Sequence, residues 1–274
     1  MIRNFAEYRN TAFDIVVLAG QSNAQGYGEG AAEKPYEKDG RVYGMRDTKE
    51  TGSVRFVPCE KNETPIRVNC PGICEIFVAE DDRPANMGFS FAREYVKNDL
   101  AVGRNLLLVY MAIGNTGFRD NCWGEGKIMT SRLFAAVDEA LGLNPENRLV
   151  ALLWHQGEND SHGIAEETEK FYYEQLKTQL EGFRNRYETP NLPIVSGGFA
   201  SEWYLTNQGP CDAVLNATKK VCSGIGNAEF IETHDLKSNN QEIGNGDIIH
   251  FSRQSQYVLG ERYYAAFQAI KDGR

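Results

Sequence analysis

The chain has 274 residues, of which 41% are hydrophobic and 24% charged, and its formal net charge is −9. This length is enough to bury a sizeable core, and the acidic balance disfavours nucleic acid or an anionic membrane as a partner. The longest apolar run, LLLVYMAIG, is too short to cross a bilayer. The N-terminus shows no apolar signal segment, so we expect a cytoplasmic protein, or a secreted one if the sequence has been trimmed.

Five apolar runs end at glycine or polar turns, and their apolar residues are continuous rather than alternating. Continuous runs of this kind are typical of strands that are covered on both faces. In chain order they are FDIVVLAG (13–20), NLLLVYMAIG (105–114), RLVALLWHQG (148–157), LPIVSGGFA (192–200) and AEFIETH (228–234).

Helical patterns separate these runs. FSFAREYV (89–96) precedes the second run, and three apolar stripes with helical spacing occur later, within 133–141, 172–183 and 259–270. The alternation of strands and helices predicts an α/β fold over residues 1–274, in which a mainly parallel five-stranded sheet lies between helix layers. Residues 45–85 lack clear periodicity, and we expect a long irregular excursion that shapes a substrate cleft.

The six cysteines are spread along the chain, which favours reduced thiols over a disulfide framework. Cys59, Cys70 and Cys74 could together supply three ligands to a metal ion. However, neither a second close pair nor a histidine at ligand spacing accompanies them, so we predict neither a metal nor a cofactor.

Polar residues follow several of the predicted strands, and in an open parallel sheet the ligand crevice lies beyond these carboxyl ends. One further polar group, Asp247 with His250 three residues later, stands before the last helix. The strand-end residues are Gln21, Ser22 and Asn23 after the first run, Gly114 and Asn115 at the second, and Gln156, Glu158, Asn159 and Asp160 at the third.

The glycine-rich turn after the first strand does not fit a phosphate-binding loop. Gly26, Gly28 and Gly30 fall at every second position, and no Lys-Ser/Thr pair follows them. The spacing therefore excludes both the P-loop and the dinucleotide-binding fingerprint.

A nucleophilic serine accounts for more of these residues. His250 could act as the base for Ser22, and Asp247 could orient its imidazole. The N–H groups of Ser22 and Gly114, with a side-chain amide from Gln156 or Asn159, could form an oxyanion hole. Taken alone, Ser22 could simply be a helix N-cap and Asp247–His250 a loop ion pair; the joint placement of these residues at one sheet edge favours the catalytic interpretation.

Four segments carry a resemblance to a known family: GQSNAQG (20–26), AIGNTG (112–117), WHQGEND (154–160) and DIIHFS (247–252). Together with GFSFAREY (88–95) they resemble the SGNH hydrolase superfamily, and within it the sialate O-acetylesterase-like and acetyl xylan esterase-like carbohydrate esterases.

The resemblance implies a three-layer α/β/α, flavodoxin-like fold and metal-free ester hydrolysis by Ser22, Asp247 and His250. In the carbohydrate-esterase branch the glutamine of the third segment fills the oxyanion hole, which favours Gln156 over Asn159. One departure is Asn115, which stands where the branch usually has glycine and could narrow or re-aim the hole. The resemblance gives supporting roles to the neighbours of these residues, namely Gln21, Asn23, Asn115, Glu158 and Asp160.

We therefore expect a serine esterase that deacetylates O-acetylated carbohydrate, of the xylan or sialic acid type, through an acyl-enzyme. Two alternatives stay open at this point: a lipase- or thioesterase-like hydrolase of longer acyl esters, and an inactive carbohydrate-binding relative. Tyr27, Trp123 and Trp203 are candidates for stacking on a sugar, whereas His155 and His234 are expected to be structural. The sequence does not indicate the sugar or the oligomeric state.

Overall fold

The computed structural model describes residues 8–47, 54–57, 66–69, 74–78 and 85–273. Its strands are β1 (Phe13–Gly20), β2 (Val42–Asp47), β3 (Val54–Val57), β4 (Ile66–Asn69), β5 (Cys74–Val78), β6 (Asn105–Ala112), β7 (Arg148–His155), β8 (Ile194–Gly197) and β9 (Ala228–Ile231). Its helices are α1 (Ser22–Gln25), α2 (Gly88–Asn98), α3 (Ile128–Gly142), α4 (Ala165–Arg186), α5 (Ser201–Thr206), α6 (Gln208–Gly224), α7 (Asn239–Ile243) and α8 (Arg253–Lys271).

The main sheet has seven strands in the order β5-β2-β6-β1-β7-β8-β9. Six of them run parallel, and β5 lies antiparallel to β2 at one edge. The predicted α/β fold is confirmed, and all five predicted strands are present. The sheet contains two more strands than predicted, β2 and β5, and β3 and β4 form a separate antiparallel pair.

Helices cover both faces of the sheet, which gives three layers. Ile15 and Val17 of β1 belong to the apolar cluster formed with α3, α4 and α6. Val16 and Leu18, which point to the opposite face, belong to the cluster formed with α2 and α8. Because β1 is buried along its whole length, its sequence is apolar at nearly every position rather than at every second one.

The segment expected to be an irregular excursion, residues 45–85, contains β3, β4, β5 and the end of β2. Of the cysteines considered as metal ligands, Cys59 and Cys70 lie outside the described residues, and only the backbone of Cys74 is described, at the start of β5. The three cysteines whose side chains are described, Cys122, Cys211 and Cys222, are buried thiols. None of the helices in the described part of the chain is long and apolar enough to cross a membrane.

The register of the central strands brings their carboxyl ends level. Gly20 at the end of β1 pairs with Ala112 of β6 and with His155 of β7. Gly20 has φ +141°, and a Cβ at this position would lie 1.9 Å from the carbonyl oxygen of His155. Glycine therefore permits the close approach that places the residues after β1, β6 and β7 side by side.

At the opposite end of β1, the carboxylate of Asp14 is completely buried and holds three elements together. It accepts hydrogen bonds from Arg104 Nε (2.7 Å), Arg148 Nε (2.7 Å) and Tyr95 Oη (2.7 Å). Burial alone would raise the pKa of Asp14, but these hydrogen bonds and the arginine charges outweigh it, so the pKa lies below its ordinary value.

Candidate active site

Ser22 lies two residues after the end of β1 and is the first residue of α1. The N-cap of that helix is Gln21, so the interpretation of Ser22 as an N-cap is wrong. Ser22 is 5% exposed, and neither its backbone N–H nor its Oγ has a hydrogen-bond partner among the described residues. A free N–H at the start of a helix is suited to stabilise negative charge on a bound oxygen.

Asp247 and His250 form the predicted pair. Asp247 Oδ2 lies 2.8 Å from His250 Nδ1 and also accepts a hydrogen bond from Asn239 Nδ2 (2.9 Å). Burial would raise the pKa of Asp247, but the hydrogen bonds from Asn239 and His250 outweigh it and hold the pKa below its ordinary value. An ionised Asp247 fixes the proton of His250 on Nδ1, which leaves Nε2 able to accept one.

Asn23 connects the segment that contains Ser22 to the loop that contains His250, which we call the histidine loop. Its Nδ2 donates to the carbonyl oxygen of Ile249 (3.1 Å), and its Oδ1 accepts from the N–H of Phe251 (3.1 Å). These two residues flank His250, so the side chain next to Ser22 in sequence holds the histidine loop from both sides. Asn23 itself is completely buried.

Glu158 anchors the Asn23 amide from the third strand end. Its Oε1 accepts from Asn23 Nδ2 at 2.6 Å, whereas its Oε2 is buried and has no hydrogen-bond partner among the described residues. Burial raises the pKa of Glu158, and the hydrogen bond from Asn23 opposes that effect. The expected supporting roles of Asn23 and Glu158 thus correspond to one buried connection between three segments.

Gln21 and Asp160 join the strand ends further. Gln21 Oε1 accepts from Gln156 Nε2 (3.1 Å) and from the backbone N–H of Asn159 (3.1 Å). Asp160 accepts from the N–H of Phe118 (3.0 Å) in the loop after β6 and from Gln156 Nε2 (2.7 Å). These bonds tie the loops after β1, β6 and β7 into one network.

The two amides considered for the oxyanion hole differ in their surroundings. Gln156 is 2% exposed, and its Nε2 faces three acceptors: Asp160 Oδ2, Gln21 Oε1 and the carbonyl oxygen of Thr116. Asn159 is half-buried, and its Nδ2 donates to a single acceptor among the described residues, Asp120 Oδ2 (3.0 Å). An amide nitrogen carries two hydrogens, so Asn159 retains one for a ligand and Gln156 does not.

Gly114 lies close to Ser22. A Cβ at Gly114 would lie 3.3 Å from Ser22 Cβ, which shows how near the two backbones are. The N–H of Gly114 donates to Gln25 Oε1 (2.8 Å), a contact that the sequence analysis missed. The next residue, Asn115, has φ +61°, a conformation that glycine adopts freely and asparagine tolerates better than most residues. Asparagine can therefore stand where the resembling sequences have glycine.

The three aromatic residues predicted to stack on a sugar lie in different environments. Tyr27 is 39% exposed, and its ring stacks on that of His250, with centroids 4.5 Å apart and an interplanar angle of 16°. Trp123 is 1% exposed and packs edge-on against Trp154 in the core, so the expectation that it stacks on a sugar is wrong. Trp203 is partly buried against the cluster on the α3, α4 and α6 side.

Two further histidines were expected to be structural. His155 is completely buried, and burial lowers its pKa to about 3, so it is neutral in the folded protein. The side chain of His234, in contrast, is 73% exposed, so its expected place in or beside a strand core is wrong. Within the described residues, no group of three or more His, Cys, Asp or Glu side chains could hold a metal ion.

Comparison with known proteins gives one family and several similar structures. The family described as "Carbohydrate esterase, sialic acid-specific acetylesterase" matches residues 12–269. The crystal structure of NanS has a TM-score of 0.71 at 16% identity, with coverage of 97% of this chain and 99% of that one. A protein from Arabidopsis thaliana gives 0.65 at 19% identity, with coverage of 93% and 98%.

A third structure, described as a carbohydrate acetylesterase from Xanthomonas citri, gives a TM-score of 0.62 at 16% identity. The match covers 95% of this chain and 57% of that longer chain. At these identities the structures show a shared fold. No curated protein sequence matches the chain.

Proposed function

The chain belongs to the carbohydrate esterase, sialic acid-specific acetylesterase family, and from this premise we propose that it removes O-acetyl groups from carbohydrate by way of an acetyl-enzyme on Ser22. Members of such a family are carboxylic ester hydrolases, so the question for this chain is which atoms carry out each step. The residues at the level ends of β1, β6 and β7, with the loop before α8, supply them.

The first half of the reaction forms the acetyl-enzyme. Ser22 Oγ attacks the ester carbonyl carbon while His250 Nε2 takes its proton, and Asp247 stabilises the imidazolium through Nδ1. The tetrahedral intermediate then expels the sugar oxygen, which receives the proton from His250. In the second half, His250 deprotonates a water that attacks the acetyl group, and acetate leaves as Ser22 recovers its proton.

The oxyanion of each intermediate is held by N–H donors. We assign these to the backbone N–H of Ser22, the backbone N–H of Gly114 and the side-chain amide of Asn159. Asn159 is chosen over Gln156 because the Gln156 amide is enclosed by acceptors of the protein itself. Gln156 then supports the site by holding the loops after β1, β6 and β7 together.

The observation that carries the proposal is the pair of hydrogen bonds by which the Asn23 side chain donates to the carbonyl oxygen of Ile249 and accepts from the N–H of Phe251. If Asp247 and His250 formed only a stabilising ion pair, their loop would not need to be held by Asn23, the residue next to Ser22. The absence of a hydrogen bond between Ser22 Oγ and His250 Nε2 among the described residues is compatible with this role, because catalytic hydrogen bonds are often long before substrate binds.

The decisive experiment compares Ser22→Ala with Ser131→Ala, a change at an exposed serine of α3. Acetate release is measured on acetylated xylan, O-acetylated sialic acid and simple acetyl sugars. We expect Ser22→Ala to lower kcat by about 10⁴-fold or more and Ser131→Ala to leave it unchanged. Retention of activity in Ser22→Ala would contradict the mechanism.

Two results would instead support the other functions considered. Turnover of p-nitrophenyl esters that increases with acyl chain length would indicate a lipase-like or thioesterase-like hydrolase. Sugar binding by the native protein and Ser22→Ala alike, with no hydrolysis by either, would indicate a binding protein.

A further inference from the structure

The first observation is the position of the Gln25 side chain. Ser22 and Gln25 are the first and last residues of α1, three positions apart, so they lie on the same face of that helix. Gln25 Oε1 accepts the hydrogen bond of the Gly114 N–H at 2.8 Å, next to the point where a Cβ on Gly114 would come within 3.3 Å of Ser22 Cβ. The side-chain oxygen of Gln25 thus accepts the hydrogen bond of the Gly114 N–H, a donor that lies beside Ser22.

The second observation is that this contact can be broken without disturbing the fold. Gln25 is exposed, and Gln25 Oε1–Gly114 N–H is its only side-chain hydrogen bond among the described residues. The oxygen of a side-chain amide and the carbonyl oxygen of an ester are acceptors of the same kind and size. Only one of these two oxygens at a time can accept the hydrogen bond of the Gly114 N–H from this direction.

We propose that Gln25 is an internal, displaceable ligand of the oxyanion hole, so that every ester must exchange its carbonyl oxygen for that of Gln25 before Ser22 can react. This inference rests on the proposed function, since it requires the Gly114 N–H to serve the reaction. This exchange weakens the apparent affinity of the enzyme for the ester, because only the fraction of molecules whose Gly114 N–H is free can bind the ester carbonyl oxygen. The cost falls on the free enzyme, so it is the same factor for every substrate.

The test uses Gln25→Met, which keeps the length of the side chain but replaces the amide with a weakly accepting thioether. For the loss of one competing hydrogen bond we expect kcat/KM to rise about 3- to 10-fold. The rise should be equal for p-nitrophenyl acetate and for an acetylated sugar. Gln25→Asn, whose shorter side chain does not span the distance, should show the same rise, and Gln208→Met, at an exposed glutamine of α6, should show none.

A second measurement does not depend on turnover. A fluorophosphonate forms a bond between phosphorus and Ser22 Oγ, loses fluoride and places its phosphoryl oxygen in the oxyanion hole. The rate of this labelling should increase in Gln25→Met by the same factor as kcat/KM. In Gln25→Glu both rates should fall, because a carboxylate accepts more strongly and opposes the developing negative charge.

An unchanged or lowered rate in Gln25→Met would overturn the inference. Unequal effects on the two esters would overturn it as well, since they would show that Gln25 contacts the substrate directly. Ser22→Ala separates this outcome from failure of the proposed function: labelling of Ser22→Ala at the native rate would refute the function itself. Loss of labelling in Ser22→Ala with no effect of Gln25→Met refutes only the role of Gln25.

Discussion

Asn23→Ala is the change that most directly tests how the site is assembled. The substitution does not alter the side chains of Ser22, Asp247 and His250, but it removes the amide that holds the residues on both sides of His250. It also removes the hydrogen bond to the buried Oε1 of Glu158, whose other oxygen already has no partner among the described residues. These three polar groups lose their bond to the side chain at once, whereas Gln256 Nε2 loses a longer bond to it (3.4 Å) but keeps its bond to the backbone carbonyl oxygen of residue 23.

The expected loss of stability follows from the polar groups that lose a hydrogen bond. Each buried or partly buried polar group left without a partner costs about 1–3 kcal/mol, so three of them lower the free energy of unfolding by about 3–9 kcal/mol. At about 2–4 °C per kcal/mol for a chain of this size, Tm should fall by about 6 °C or more. Without the hydrogen bonds of Asn23 to the residues beside His250, we expect His250 to move relative to Ser22. A displacement of about 1 Å in a reacting group can cost about 10²-fold in kcat.

The assay measures kcat for acetate release at a temperature at which the variant is folded, together with Tm by circular dichroism. Asn147→Ala is the matched control, because Asn147 also bridges two elements. Its Oδ1 accepts from the N–H of Phe13 (2.7 Å), and its Nδ2 donates to the carbonyl oxygen of Ala140 (2.8 Å). It lies at the other end of β1, so it should lower Tm and leave kcat unchanged. Native kcat in folded Asn23→Ala would refute the idea that Asn23 positions His250.

Two further predictions concern other parts of the network. Asn159→Ala should lower kcat by about 10²-fold with little change in Tm, as expected for loss of one oxyanion donor, whereas Gln156→Ala should mainly lower Tm; the reverse pattern would return the donor role to Gln156. Asp14 has a lowered pKa in the folded protein, so its contribution to stability is present above the ordinary aspartate pKa of about 3.9 and is lost as pH falls through the folded value. Asp14→Asn should therefore reduce the free energy of unfolding at pH 7 by about 3 kcal/mol, since it breaks the ion pairs with Arg104 and Arg148, and the difference from native should shrink below about pH 4 in urea titrations. A difference that is constant with pH would argue against the ionised carboxylate as its source.

Much of the sheet could be predicted because its central strands are buried on both faces and therefore have continuous apolar sequences. β2, VYGMRD, contains glycine and two charged residues, so it does not carry that signal. Helix α6 was missed for a related reason: the residues that it buries are small or only weakly apolar, such as Cys211, Ala213 and Thr218.

The candidate site residues could be located from short motifs, because each follows a strand end or starts a turn. Their hydrogen-bond partners were not, since a side chain such as Gln25 or Gln156 can satisfy several roles and only the loop geometry selects one. The contact from Gln25 to Gly114 joins residues 89 positions apart, and no periodic pattern encodes it. The same is true of the enclosure of Gln156 Nε2 by Gln21, Thr116 and Asp160.

The bond between Asn23 and Phe251 spans 228 positions of the sequence. During synthesis, therefore, the serine segment is made long before the histidine loop that completes it, and the entropy of closing so long a loop must be overcome by the sheet and helix contacts formed in between. Under the proposed mechanism, a nascent or partly unfolded chain has the serine without its base. Labelling by a serine-directed probe is then expected to count only molecules in which the segments around Asn23 and Phe251 have come together, so it would report complete folding.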